Sequence, residues 1–177
     1  MDELNYLLAV QNGQLVFADG STRAIPHWGE SAYTHIFCVR HAEKDRDELH
    51  NPGLDAMGKA RAEHLGRVLA EAGLDAVFVT PYRRAQDTAE PVVRRGNTAP
   101  AQIYFPEDQE EWIAEVLQTY QGKKLLIVGH QFTIPHLLNQ LHGHGFDFEN
   151  IPDSDCGQFF VVSTLGIGHS EILTTRY

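Results

Sequence analysis

Cysteine is nearly missing from this chain, whose 177 residues include only two, Cys38 within an apolar run and Cys156 in a late polar stretch. Two thiols so placed make neither a disulfide framework nor a zinc spacing, and a reducing cytoplasm is the expected setting. Basic charge is also scarce, with 14 Lys and Arg against 24 Asp and Glu and a formal net charge of −10. A nucleic-acid partner is therefore not expected, since a basic face supplies most of that affinity. An anionic small substrate stays open, because the field in a cleft follows local charges rather than the total. No apolar run approaches the roughly 20 residues that span a bilayer, and the acidic start Met1-Asp2-Glu3 lacks the pattern of a signal peptide. The expectation is a soluble cytoplasmic protein with no membrane partner. Its length and 42% hydrophobic content suit one domain with its own core and a small appendage. The composition does not give an oligomeric state.

The appendage is residues 1–33. Tyr6 to Val10 and Leu15 to Ala18 are short apolar runs on either side of Asn12-Gly13, and Asp19-Gly20 follows. Such dipeptides supply the positive φ angles of tight hairpins, so a small β-meander is expected to lie against the main domain.

Residues 34–177 alternate strand and helix patterns, which predicts a three-layer α/β/α domain with a largely parallel central sheet. Ile36 to Val39 is a buried-strand pattern that stops on Arg40-His41. Leu54, Met57, Leu65, Val68 and Leu69 share a helix face, with Asp55 placed to cap it and Gly73 to end it. Ala76 to Val79 is a second strand. Thr80 and Pro81 then read as cap and first position of a helix that opens with Arg83-Arg84 and that Pro91 should kink or divide. Gln102 to Phe105 is a weaker strand, followed by a helix whose acidic first turn includes Glu107 and Asp108. Lys124 to Val128 is the most apolar strand and finishes on Gly129-His130, ahead of a helix marked by Thr133 and Pro135. Two closing strands form a hairpin around Gly166-x-Gly168.

Ligands of open α/β sheets bind beyond the carboxyl ends of the strands. Three strands here should deliver Arg40-His41, Arg83-Arg84 and His130 to one rim. Guanidinium forks suit an oxyanion, and an imidazole can act as base, acid or nucleophile. Two arginines at a helix start oppose its dipole unless an anion is held there. Without a carboxylate cluster for Mg²⁺, the set points to a phosphoryl site that uses no metal and no cofactor. His130, His136, His142 and His144 do not have zinc spacing.

The segments Val39-Arg40-His41-Ala42-Glu43-Lys44, Thr80-Pro81-Tyr82-Arg83-Arg84-Ala85-Gln86-Asp87-Thr88-Ala89 and Val128-Gly129-His130 resemble those of the histidine phosphatase superfamily, in its phosphoglycerate-mutase-like branch. Leu54 to Gly58, with Arg61-Ala62, is similar to that family's first helix. The resemblance implies a phosphatase with His41 as nucleophile, Arg40 and Arg84 binding phosphate oxygens, Arg83 peripheral, and His130 touching the transferred group. It points to Glu107 or Asp108 as the proton donor, with Asp153 or Asp155 as acids that could reach the site from a late loop. An acid directly after the second histidine, as in the other branch, is absent, since that position is Gln131. Ala42 stands where many relatives have Gly. The implied substrate is a small phosphomonoester or a protein phosphohistidine. If no acid lies near, good leaving groups such as phosphohistidine are favoured. A phosphate-binding module with little turnover and a phosphoglycerate-type mutase are the alternatives.

Overall fold

The computed structural model describes residues 5–143 and 147–177. Its amino-terminal part is a meander of β1 (Leu7–Gln11), β2 (Gln14–Phe17) and β3 (Thr22–Ala24), paired antiparallel in that order. Asn12 and Gly13 both take positive φ, 49° and 75°, and make the first hairpin, as the dipeptide predicts.

The main sheet has six strands: β4 (Thr34–Arg40), β5 (Ala76–Val79), β6 (Gln102–Ile103), β7 (Lys124–Gly129), β8 (Gln158–Gly166) and β9 (His169–Arg176). Their order is β6-β5-β7-β4-β8-β9. The pairs β6·β5, β5·β7 and β7·β4 are parallel, while β4·β8 and β8·β9 are antiparallel, the latter being the expected closing hairpin. β4 sits in the middle and all seven of its residues are buried, which is why its sequence reads as a continuous apolar run rather than an alternation.

Helices cover both faces, and the side-chain alternation of the strands sorts the core into two halves. Phe37, Val39, Val77, Val79, Leu126 and Val128 face α1 (Ala56–Val68) and α2 (Arg83–Gly96). Ile36, Cys38, Phe78, Leu125 and Ile127 face α3 (Gln109–Thr119) and α4 (Thr133–His142). The meander joins the first half: Leu7, Val10, Leu15 and Ile25 are buried in one cluster with Leu65 and Leu69. His64 Nε2 donates to the Leu7 carbonyl at 2.9 Å, and Trp28 packs on His35 and under Lys124. His35 and Lys124 lie at the amino ends of β4 and β7, so this end of the meander is at the rim opposite the strand ends that carry Arg40 and Gly129. No helix among the described residues is long and apolar enough to cross a membrane.

Three local expectations are corrected. Thr80 does not cap α2; the helix begins at Arg83, with Tyr82 in the cap position and no side-chain cap hydrogen bond. Pro91 does not divide α2, which runs through it. Its ring lies against Gly66 of α1, so close that a Cβ on Gly66 would stand 2.9 Å from it, and the two helices meet there. The Gln102 to Phe105 strand shrinks to two exposed residues on the sheet edge. Asp55, by contrast, caps α1 as expected, accepting from Gly58 N at 2.8 Å.

Candidate active site

Strand register brings the chemistry together. In the parallel pairing of β4 with β7, Arg40 lies level with Gly129, and His41 N donates to the Gly129 carbonyl at 2.9 Å. The next residues, His41 and His130, therefore leave the sheet side by side, with ring centroids 5.2 Å apart. β5 ends level with Val128, which places Thr80 and the start of α2 on the same rim. A cavity of 330 Å³ opens there, lined by Arg40, His41, Lys44, Tyr82, Arg84 and His130 among others. A second hollow of 210 Å³ shares Arg40, His41, Lys44 and Asp153 with it.

His41 is 4% exposed. Its Nδ1 lies 2.8 Å from the Ala42 carbonyl, which can only accept, so Nδ1 carries the proton and Nε2 keeps a free lone pair. Burial, reinforced by the charges of the Arg84 and Arg40 side chains, pushes the imidazole down to about 3, so it is neutral at physiological pH. Ala42 N is held in turn by Thr88 Oγ1 at 2.9 Å, and that hydroxyl donates to the Arg84 carbonyl at 2.7 Å. The loop behind His41 is thus fastened to α2.

His130 has the opposite tautomer. Arg84 Nη2 can only donate, and it faces Nδ1 at 3.5 Å, so Nε2 carries the proton and donates to Thr80 Oγ1 at 2.8 Å. Burial, followed by the charges of Arg84, Arg40 and Lys44, lowers this imidazole to about 4. Thr80 is fully buried and is the residue that sequence reasoning missed. A Thr-Pro after an apolar strand reads equally well as a helix cap, and only the β5–β7 register reveals its partner.

Arg40 is held chiefly from the late loop. Its Nη1 donates to the carbonyls of Pro152, Asp153 and Asp155 at 2.8, 3.0 and 3.1 Å, and Nη2 donates to Asp153 Oδ1 at 2.9 Å. The Nε atoms of Arg40 and of Arg84 are buried without a partner, which leaves two cationic donors unsatisfied. The Arg84 guanidinium lies over the Tyr82 ring, 4.6 Å from its centre. Arg83 turns away and pairs with Glu48 at 3.2 Å.

The acids divide similarly. Asp153 lines both hollows, its second oxygen 3.1 Å from Arg46, and the Arg40 hydrogen bond holds its carboxyl below the usual range. Asp155 braces the loop instead: its pairing with Arg176, at 2.8 and 3.0 Å, is the main cause that lowers it to about 2. Glu107 and Asp108 stand exposed on a single 3-10 turn, Pro106–Asp108, whose Pro106 lines the larger hollow while the two acids do not. His136 pairs with Glu110 at 2.9 Å and His142 with Asp147 at 2.8 Å, and His144 lies outside the described residues. The arrangement therefore offers a neutral nitrogen nucleophile, a second imidazole and unpaired guanidinium donors around a space suited to a tetrahedral anion.

Residues 36–104 match the histidine phosphatase superfamily (branch 1), so the resemblance read from the first two strand-end motifs is borne out, while Val128-Gly129-His130 lies beyond the matched residues. Solved structures share the fold. The protein histidine phosphatase SixA, complexed with tungstate, is 16% identical with a TM-score of 0.66, covering 80% of this chain and 96% of its own. A mycobacterial glucosyl-3-phosphoglycerate phosphatase in complex with VO3 is 12% identical with a TM-score of 0.67, over 80% of this chain and 98% of its own. A phosphoserine phosphatase from Entamoeba histolytica, in complex with 3-phosphoglyceric acid, is 12% identical with a TM-score of 0.64, over 81% and 97%. A search of curated proteins returns no match to this chain.

Proposed function

Because this chain has the fold of the histidine phosphatase superfamily and matches that family over residues 36–104, we propose that it is a metal-independent phosphatase working through a phosphohistidine on His41. The observation that carries the reading is the convergence of His41 and His130, ring centres 5.2 Å apart, on a cavity that Arg40 and Arg84 also line. In the first step the Nε2 lone pair of His41 attacks phosphorus in line, and the bond to the leaving group breaks with its electron pair on that group. The tautomer supports this, since the Ala42 carbonyl engages Nδ1 and Nε2 is the free nucleophile. Arg40 and Arg84 stabilise the equatorial oxygens, where phosphoryl transfer concentrates its charge. A bound phosphate dianion draws the Arg84 guanidinium off Nδ1 and onto its own oxygens and raises the proton affinity of His130, so that Nδ1 takes a proton from solvent and donates to a phosphate oxygen. In the second step water attacks phosphorus and gives up a proton to solvent, His41 departs with its lone pair, and phosphate leaves.

The substrate is a phosphorylated small molecule or a phosphoprotein. Asp153 is ionised at neutral pH and is a poor proton donor, and neither Glu107 nor Asp108 lines the cavity. Leaving groups that depart with little protonation are therefore favoured, phosphohistidine among them. The test is phosphate release from a panel of phosphomonoesters and a phosphohistidine peptide, in buffer with exhaustive chelation. Turnover that is lost in His41→Ala supports the reading, and equal turnover in that variant refutes it.

A further inference from the structure

Resting on the phosphatase reading, we infer that Tyr82 and Phe132 form an aromatic clasp for the leaving group, so that this site selects phosphoryl groups carried on a planar aromatic ring. The cap position of a helix favours Ser, Thr, Asp or Asn, whose side chains satisfy free backbone donors. α1 follows that rule through Asp55. Both helices that begin at the cavity break it: Tyr82 caps α2 and Phe132 caps α4, and neither makes a side-chain cap hydrogen bond. The rings do not compensate by burial, since Tyr82 is 44% and Phe132 57% exposed. Helix stability therefore accounts for neither residue.

Their common surroundings do. Both line the 330 Å³ cavity that also holds Arg40, His41, Arg84 and His130. Tyr82 stands edge-on to the His130 ring at 5.2 Å and carries the Arg84 guanidinium on its face. Phe132 follows His130 by two residues and leaves more than half of its surface exposed. A phosphoryl group held by the arginines would project its leaving group between these rings, where a flat π-face gains stacking that an alkyl group cannot. The same substrates suit the lack of a proton-donating acid in the cavity, because phenolates and imidazoles leave more readily than alkoxides.

The test compares kcat/KM for phenyl phosphate and for hexafluoroisopropyl phosphate, whose alcohol is about as acidic as phenol, so that leaving-group chemistry is matched. The wild-type protein should prefer the aryl ester by roughly 5- to 150-fold, the range of two stacking contacts. Tyr82→Ser and Phe132→Ser should each lower that ratio and together bring it close to one, while their melting temperatures hold or rise because Ser is the better cap. Phe132→Leu, which keeps apolar bulk without a planar face, should lose the preference as the Ser variant does. A wild-type ratio near one overturns the clasp. So does an equal loss on both esters in Tyr82→Ser, which would mean that the ring only positions Arg84. Absence of phosphate release from either ester would instead remove the phosphatase reading on which the clasp rests.

Discussion

Thr80→Val tests the role of Thr80 as the partner of His130. Valine has nearly the volume of threonine and fits a strand end, so the fully buried site should keep its packing. What it loses is the acceptor 2.8 Å from His130 Nε2. The Nε2–H would then be buried and unsatisfied, and the tautomer cannot escape to Nδ1, because Arg84 Nη2 already presents a donor there. Hydrogen bonds involving charged groups contribute about 1.5–3 kcal/mol. His130 must become imidazolium as the phosphoryl group moves, so the loss should appear in kcat/KM as a drop of roughly 10- to 150-fold. Thr80→Ser keeps the hydroxyl and should retain most of the activity. The assay is steady-state phosphate release from an aryl phosphate across pH, with calorimetry to confirm folding. Unchanged kcat/KM and an unchanged profile in Thr80→Val would refute the assignment.

Other outcomes follow from the same geometry. Both active-site imidazoles titrate below their unfolded value near 6.5, so below that pH the unfolded chain takes up protons that the folded chain refuses. Stability should therefore fall as pH drops from about 6.5 toward 4, on the order of a few kcal/mol for the pair. Tungstate should offset the loss, and calorimetry that finds a flat profile would contradict the buried neutral histidines. Asp153→Asn removes an anion that competes for Arg40, so inorganic phosphate should inhibit more strongly; a selective loss of kcat on poor leaving groups would mark Asp153 as the proton donor instead. A Cβ at Gly58 would collide with the Glu43 carbonyl, so Gly58→Ala should destabilise the loop after His41 by about 1–3 kcal/mol, visible in thermal melts. Arg84→Ala should cost about 10²–10³ in kcat, and a smaller loss than tenfold would argue against transition-state contact.

Much of the fold could be read because burial writes itself into sequence. β4, β5 and β7 are covered on both faces, so their apolar runs are unbroken, and the polar residues that end them mark the rim. The first hairpin was legible in Asn12-Gly13 for a different reason, the positive φ that both residues adopt. The convergence of His41, His130 and Arg84 followed from topology plus family resemblance. What stayed hidden depends on contacts distant in sequence. Arg40 is clamped by carbonyls more than 110 residues away, and no local pattern announces that a loop will close over it. Thr80 bonds His130 instead of capping α2, and Tyr82, which stands in the cap position, lines the cavity. Pro91 looked like a break, yet its ring fits against Gly66 on a neighbouring helix.

The central claim is that a phosphoryl group rests on the Nε2 of His41 during turnover. Rapid acid-free quenching of the protein with a ³²P-labelled aryl phosphate, followed by peptide mapping, tests it directly. The account predicts an alkali-stable, acid-labile label on His41 that forms and decays at rates compatible with kcat and is missing in His41→Ala. Labelling at another residue, or full turnover in the His41→Ala protein, would contradict it.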